Sequence, residues 1–562
     1  MKSRYYGGYS WLRKPDHIFQ MKRRVGAQKL PSQPNIIFLI IDSLRYDRLS
    51  CNGHLKNLTP TLDQLCADGV TAQNFFANGP ATQFAFPSIF TSTLPLSHGG
   101  YNSGILSRPV SLPEVLSRAE YECWGVVTGH PCSSRFHYNR GFSTFYDMVD
   151  LYQWFRSVYK TGLRELLERW KLGELTKDDL QKRVIENYAS FLADTESFII
   201  QMEQLGVPQS GRSRKKLLPQ IRQERALLES EPLTVCEKLL LLDQNYQYAL
   251  GIASVTPNLL RKFEWRRRLR DAINSIVSIV SERRAFTAPV VNDLFSQFLK
   301  TRDRKKPFFA LLHYFDLHEA KLLISAMNLK KFIRLPGAIL RALKGRKGSS
   351  LFYDITLAMV DDDVKYLRKI IKKANIASDT ILIITSDHGV EAGTPYRKDS
   401  AHNHTDLSKH FFDEMIHVPF IISGRDIKPK TISELSSQID IGPTLLSLAG
   451  LPVPSEFQGV NIFEREKKPV EFIISENAGN NYCDPVRKPI FISMRTKNYK
   501  STFKIENGLA TERDFYDLIT DPLELTNQVN SPIQLPLRTR FRQLAEERGD
   551  YIKSEYIKLY GA

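Results

Sequence analysis

The sequence predicts an α/β protein with a mainly parallel sheet, interrupted midway by a large helical insertion. Three observations predict it. Asn35-Ile-Ile-Phe-Leu-Ile-Ile-Asp42 and Thr380-Ile-Leu-Ile-Ile-Thr-Ser-Asp387-His388-Gly389 are short apolar runs rich in β-branched residues, as expected of strands buried on both faces. Residues 35–150 and 288–460 alternate such runs with helix-like stretches, which is the rhythm of βα units. Residues 151–287 lose that rhythm and carry 3.6-residue periodicity with few glycines, which marks helices.

In chain order, residues 1–34 form a polar, basic arm. The first part of the core, 35–150, reads as strand NIIFLIID, helix TPTLDQLCADGV, strand-like VTAQNFFAN, helix LPEVLSRA and strand ECWGVVTGH. The insertion, 151–287, holds TGLRELLERWKL, DDLQKRVIENYASFLADTESFIIQMEQL and PLTVCEKLLLLDQNYQYAL, with a break between Gly206 and Lys216. The core resumes over 288–460 with strand KKPFFALLHYFDLH, helix YDITLAMVDDDVKYLRKIIKKA, the second acidic strand, VPFIISG and helix IDIGPTLLSLAGL. Residues 461–562 form a C-terminal subdomain with EFIISEN, IFISMRTKNYKSTF and a closing helix.

At 562 residues the chain can bury a large core. Its net charge of +17 favours anionic partners such as phosphorylated or sulfated esters or anionic lipid; no specific nucleic acid is expected. A solubilising surface without a partner is the plainer reading. The six cysteines show no C-x-x-C spacing, so buried free thiols are expected, with a Cys123–Cys132 pair as the alternative. The basic N-terminus lacks an apolar stretch of signal-peptide type, and the apolar strands are too short to span a bilayer. The expected location is cytoplasmic, with a peripheral membrane association left open. Oligomeric state is not legible.

Ligands of parallel sheets bind outside the carboxyl ends of the strands. Two remote strands thus deliver Asp42, Asp387 and His388 to one place. Carboxylates and imidazole suit a divalent ion, Mg²⁺, Mn²⁺, Ca²⁺ or Zn²⁺. The competing reading, that Asp387 and His388 only cap a following helix, is weakened by the matching Asp42.

An ordered series of segments resembles the sulfatase branch of the alkaline phosphatase superfamily. It comprises NIIFLIIDSLRYDRLS, TPTLDQLCADGV, PATQFAFPSIFTSTLPLSHGG, KPFFALLHYFDLH, ILIITSDHG, FFDEMIHVPFIISG, DIGPTLLSLAGLPVPSEFQG and DFYDLITDPLELTN. The resemblance implies a doubly wound, mainly parallel α/β sheet, a smaller C-terminal α+β subdomain, and phosphate or sulfate ester chemistry at a bound metal. Sulfatases carry Cys or Ser in C/S-x-P-S-R, oxidised to formylglycine. Aligning that motif on Ala85-Phe-Pro-Ser-Ile89 puts an inert alanine at the nucleophile. In the family, however, the nucleophile lies nine residues before the Thr of T-G-x-x-P-x-x-H-G. Counting back from Thr91-Ser-Thr-Leu-Pro95-Leu-Ser-His98-Gly99 gives Thr82. Threonine is the nucleophile of the phosphodiesterase and lipoteichoic-acid-synthase relatives, and a nearby cation lowers a hydroxyl pKa. An ordinary helix cap is the competing role.

The arginine of the sulfatase motif falls at Phe86, and the second Asp of the family's Asp-Asp pair is Ser43. Both departures favour a one-metal set of Asp42, Thr82, Asp387 and His388. His318 matches a family histidine at the transferring or leaving group and is expected as general acid. Asp316, His318 and His404 are the alternative set for a second ion. His313 is expected to face the core. Lys409 and His404 are candidates for anion contact in the loop 397–409, and Asn102 and Thr128 align with polar positions facing the substrate.

Residues 320–349 contain eight Lys or Arg and no Asp or Glu, with apolar and basic residues at helical spacing broken at Pro336-Gly337. Such a segment suits an anionic lipid surface or a polyanionic substrate; a solvated lid is the alternative. A second basic cluster, 261–270, reads as a charged helix face. Function is therefore expected to be phosphate, phosphodiester or sulfate ester cleavage or transfer through Thr82. The alternatives are a sulfatase working without formylglycine and an inactive binding scaffold.

Overall fold

The computed structural model describes residues 33–148, 161–171, 173–204, 213–242, 287–318, 329–343, 351–391, 411–479 and 483–561. The basic arm up to residue 32, the cluster 261–270, His404 and Lys409 lie outside them.

Strand β1 (Asn35–Ile41) is buried at every position, and its alternation resolves why. Ile37, Leu39 and Ile41 enter one hydrophobic cluster, while Ile36, Phe38 and Ile40 enter another on the opposite face. A strand with apolar neighbours on both faces has no polar side to show. The remaining strands of the main sheet are β2 (Val70–Ala72), β4 (Glu122–Val127), β5 (Thr144–Asp147), β6 (Phe308–Tyr314), β7 (Thr380–Thr385), β8 (Phe420–Gly424) and β9 (Lys430–Ile432). Their order is β5-β4-β6-β1-β7-β8-β2-β9. β1 pairs in parallel with β6 and β7; β8 alone runs antiparallel to both its neighbours, β7 and β2. Helices 60–68, 288–301 and 351–373 cover one face, and 82–91, 112–118 and 441–448 the other. This is the doubly wound arrangement expected from sequence. Short β3 (Phe75–Phe76) pairs with β10 (Ser436–Ser437).

Helices 161–171, 177–204, 213–230 and 232–242 send Leu163, Val184, Tyr188, Ile221 and Val235 into the same cluster as Ile37 and Leu39. The C-terminal sheet is antiparallel in the order β11 (Ile473–Asn477), β12 (Ile490–Arg495), β13 (Tyr499–Glu506), β14 (Leu509–Asp517), backed by helix 535–560. Its core takes in Phe84, Leu94 and Leu96 from the helix 82–91 and the loop that follows. There Arg548 makes a two-pronged bond to Glu476 (3.0 and 2.7 Å), and the Leu96 N–H donates to the same carboxylate at 2.7 Å.

All six cysteines are free, so Cys123 and Cys132 are not bonded. The sulfurs of Cys51 and Cys66 lie 2.8 Å apart. Contrary to the break expected at Pro336-Gly337, helix 329–343 runs through Pro336. Ion pairs from Arg334 and Arg341 clamp it to helix 351–373 on either side of the proline.

Candidate metal and nucleophile site at the strand tips

β1 and β7 end side by side, and Ser386 joins their ends. Its hydroxyl donates to the Ile41 carbonyl (2.7 Å) and accepts from the Leu44 N–H (2.9 Å). Asp42 and Asp387 follow directly, both wholly buried. The chain then turns sharply at Ser43, with φ of 63°, a left-handed conformation uncommon outside glycine. That turn lets Ser43 serve both carboxylates: its hydroxyl donates to Asp42 Oδ1 (2.7 Å) and its N–H to Asp387 Oδ1 (3.3 Å). The residue that replaces the family's second Asp thus orients the first.

Thr82 opens helix 82–91, and its hydroxyl lies 3.4 Å from Asp42 Oδ2 and 3.3 Å from His388 Nε2. His388 Nδ1 sits 2.5 Å from the Gly389 carbonyl, so Nδ1 carries the proton and Nε2 is left as the acceptor. That nitrogen is 3.8 Å from Asp42 and 3.5 Å from Asp387. Gly389 passes so close to the Glu414 backbone that a Cβ would lie 2.0 Å from its carbonyl oxygen. The four residues Asp42, Thr82, Asp387 and His388 therefore converge. Ala85 is buried further along the same helix.

A fifth residue joins them that sequence reasoning sent to the core. His313 is fully buried as expected, but its Nε2 lies 3.7 Å from Asp42 Oδ2. Among the described residues, Asp42, His313 and Asp387 bring three ligand atoms within 4.8 Å of one another. Burial pushes the His313 imidazole down to about 4, with Asp387 opposing and His318 and His388 adding to the shift. It is neutral, and because Nδ1 accepts the Thr128 N–H its proton sits on Nε2. Thr128 holds the ring, with its N–H 3.2 Å and its hydroxyl 3.1 Å from Nδ1. Phe86, at the place of the sulfatase arginine, packs edge-on to the same ring, centroids 5.5 Å apart.

The fit to a cation rests on an orphaned carboxylate oxygen. Asp387 Oδ2 is buried without a hydrogen-bond partner, which is costly unless something else satisfies it. A hard or borderline divalent ion matches these oxygen and nitrogen donors.

The outer candidates are placed differently. His318 is exposed at the end of β6, stacked on Phe315 at 4.4 Å. Asp316 Oδ2 accepts the Ala288 N–H at 2.9 Å, capping helix 288–301. Thr128 supports His313, and Asn102 bridges both ways to the Cys483 backbone (2.7 and 2.6 Å). Gln438 was not singled out from sequence. Its amide donates to the Asp387 and Ser386 carbonyls (2.6 and 3.2 Å) and accepts the Asn78 N–H (3.0 Å), tying the β7 tip to the segment leading into Thr82.

Comparison with known proteins agrees with this frame. The Sulfatase family pattern matches residues 34–207 and 286–451, and the pattern of the N-sulphoglucosamine sulphohydrolase C-terminal region matches 402–549. The chain belongs to the sulfatase family. It is 30% identical over 214 residues to a Delta 4,5-hexuronate-2-O-sulfatase of Bacteroides thetaiotaomicron, covering 36% of this chain and 41% of that protein. It is 27% identical to Arylsulfatase K of Bos taurus, covering 38% and 40%. The matched stretch thus spans about two-fifths of either relative. Among solved structures, a 2-O GAG sulfatase superposes with a TM-score of 0.54 at 16% identity over 94% of both chains. A phosphonate monoester hydrolase of Agrobacterium radiobacter gives 0.50 at 17%, over 92% of this chain and 96% of that one. Likeness at these identities establishes the shared fold.

Proposed function

We propose that the protein is a metal-dependent hydrolase or transferase of anionic phosphate and phosphodiester esters, with Thr82 as nucleophile. The observation that carries the reading is the Thr82 hydroxyl, set between Asp42 and His388 at the first turn of a helix. Asp42, Asp387, His388 and Thr82 would hold one divalent ion. When bound, that ion lowers the pKa of the nucleophile and offsets charge on the ester.

The chain's own groups then divide the work. Thr82 Oγ1 attacks phosphorus in line, forming the Thr–O–P bond as the ester's P–O bond breaks. The Thr82 proton has an acceptor within reach in the Asp42 carboxylate. His318, at the open end of β6, gives a proton to the departing oxygen. Water or an acceptor hydroxyl then attacks phosphorus, and Thr82 leaves. His404 and Lys409 are retained as anion contacts in this scheme, and Asn102 and Thr128 as polar groups near the ester.

Phosphorus is preferred over sulfur on chemical grounds. An aldehyde hydrate carries two hydroxyls on one carbon and can shed an attached ester by collapsing to the carbonyl. Threonine has one hydroxyl and lacks that exit, so its ester must be cut by a second attack at the central atom. The relatives' names favour a second reading, sulfate ester hydrolysis without formylglycine. Turnover of aryl phosphodiester, phosphomonoester and sulfate substrates separates the two. Thr82→Ala is expected to lose about 1,000-fold or more on whichever ester is cleaved. Full turnover by that variant rejects the mechanism, and a purified protein that binds no divalent ion supports a scaffold instead.

A further inference from the structure

Helix 351–373 carries Lys365, Arg368, Lys369 and Lys372 at the spacing i, i+3, i+4, i+7, which sets all four on one face. That face borders a cleft of about 670 Å³ between the helix, the end of helix 60–68 and the strands β7 and β8. The cleft opens beside Thr380, at the opposite end of β7 from Asp387. Its floor is apolar: Leu65, Ile371 and Leu382 line it, each almost wholly buried. One polar group interrupts that floor. Ser423 lies two residues after Ile421, on the strand face turned to helices 60–68 and 351–373. It is 5% exposed, and its hydroxyl has no hydrogen-bond partner among the described residues. A Cβ at Gly69 would lie 2.3 Å from the Ile422 carbonyl oxygen and 3.1 Å from Ser423 Cβ. The chain leaving helix 60–68 therefore presses on β8 and holds Ser423 in place.

All four cations are exposed, and none forms an ion pair among the described residues. Asp68, the one carboxylate lining the cleft, is bonded to the Gln64 amide (2.9 and 2.8 Å). The dipole at the C-terminal end of the helix accounts for Lys372 in its last turn, but not for Lys365 two turns earlier. Like charges three and four residues apart repel, so the row is unfavourable until an anion joins it. A concave apolar site with a few convergent polar groups is the form that ligand pockets take. We propose that this cleft binds a small phosphorylated molecule with an apolar body. The body lies on Leu65, Ile371 and Leu382 with a polar atom at the Ser423 hydroxyl, and the phosphate meets the cation row, where Arg368 can bond two oxygens at once. A solvated basic helix face would need neither the apolar floor nor the unpaired hydroxyl within it. The site lies away from the ester chemistry and does not depend on it.

The test is calorimetric titration of the full chain with naphthylmethylphosphonate, which has no ester to cleave, beside naphthylmethanol and inorganic phosphate. The phosphonate is expected to bind more tightly than either, and more weakly as salt rises. Lys365→Gln/Arg368→Gln/Lys369→Gln/Lys372→Gln should weaken its binding roughly tenfold or more, because the charge-assisted bonds are lost. Ser423→Ala should weaken it by less, and both variants should keep the parent's urea midpoint. Thr82→Ala should bind it as the parent does. Four results would overturn the proposal: no wild-type binding, undiminished binding by the variant lacking the cations, naphthylmethanol or inorganic phosphate binding as tightly as the phosphonate, or loss of binding in Thr82→Ala.

Discussion

Gln438→Met tests whether the two halves of the site are held together as described. The thioether keeps nearly the volume of the glutamine but can neither donate nor accept as the amide does. Ser386 keeps a weak partner for its carbonyl in the Thr385 hydroxyl at 3.4 Å. The Asp387 carbonyl and the Asn78 N–H lose the Gln438 bonds of 2.6 and 3.0 Å described above. Each buried group left unsatisfied costs about 1–3 kcal/mol, so the substitution should destabilise by about 2–6 kcal/mol. Urea unfolding with and without added Mn²⁺ measures that loss. A second readout separates positioning from bulk stability. Because the lost bonds fix the β7 tip, calorimetric Mn²⁺ affinity should fall roughly 10–100-fold, as for other groups that orient ligands. A variant within about 1 kcal/mol of wild type, with unchanged affinity for the ion, would refute the reasoning.

Two further outcomes follow from buried charge. Arg548→Met leaves Glu476 charged and buried without its partner; a loss of roughly 3–5 kcal/mol is expected in urea, largely recovered by adding Glu476→Gln. The Asp361 carboxyl accepts the Thr61 and Leu62 N–H groups, yet burial pushes it up from 3.8 to about 6. The folded state then holds a proton that the unfolded chain releases, so this stabilising contribution is complete below pH 3.8 and lost as pH rises through about 6. It amounts to about 3 kcal/mol; Asp361→Asn should flatten that part of the stability–pH curve, and an unaltered curve would count against the assignment.

The sheet was legible because β1 and β7 are uninterrupted apolar runs, and the ligand crevice was legible because acidic residues stand directly after them. Thr82 could be found by register alone, since its helix carries no other chemical signal. His313 could not. In a strand apolar on both faces, period-2 alternation carries no information about direction, so an imidazole inside FFALLHYF reads as core. Only pairing, Ile40 opposite His313, sets it on the face that meets Asp42. Gln438 lies in a short 3-10 turn with no motif. The arginines of helix 329–343 misled because their partners Asp361–Asp363 lie in another helix. Composition reported a basic amphipathic segment; packing alone shows that helix 329–343 turns Ile333, Leu340 and Leu343 to solvent.

The claim on which the rest depends is a single divalent ion shared by two strand tips and the Thr82 hydroxyl. Anomalous diffraction from crystals soaked in Mn²⁺ addresses it most directly. The account predicts one peak, with Asp42, Asp387, His388 and Thr82 Oγ1 each about 2.0–2.6 Å away. A pocket that stays empty, or an ion seated beyond contact with Thr82, would contradict it.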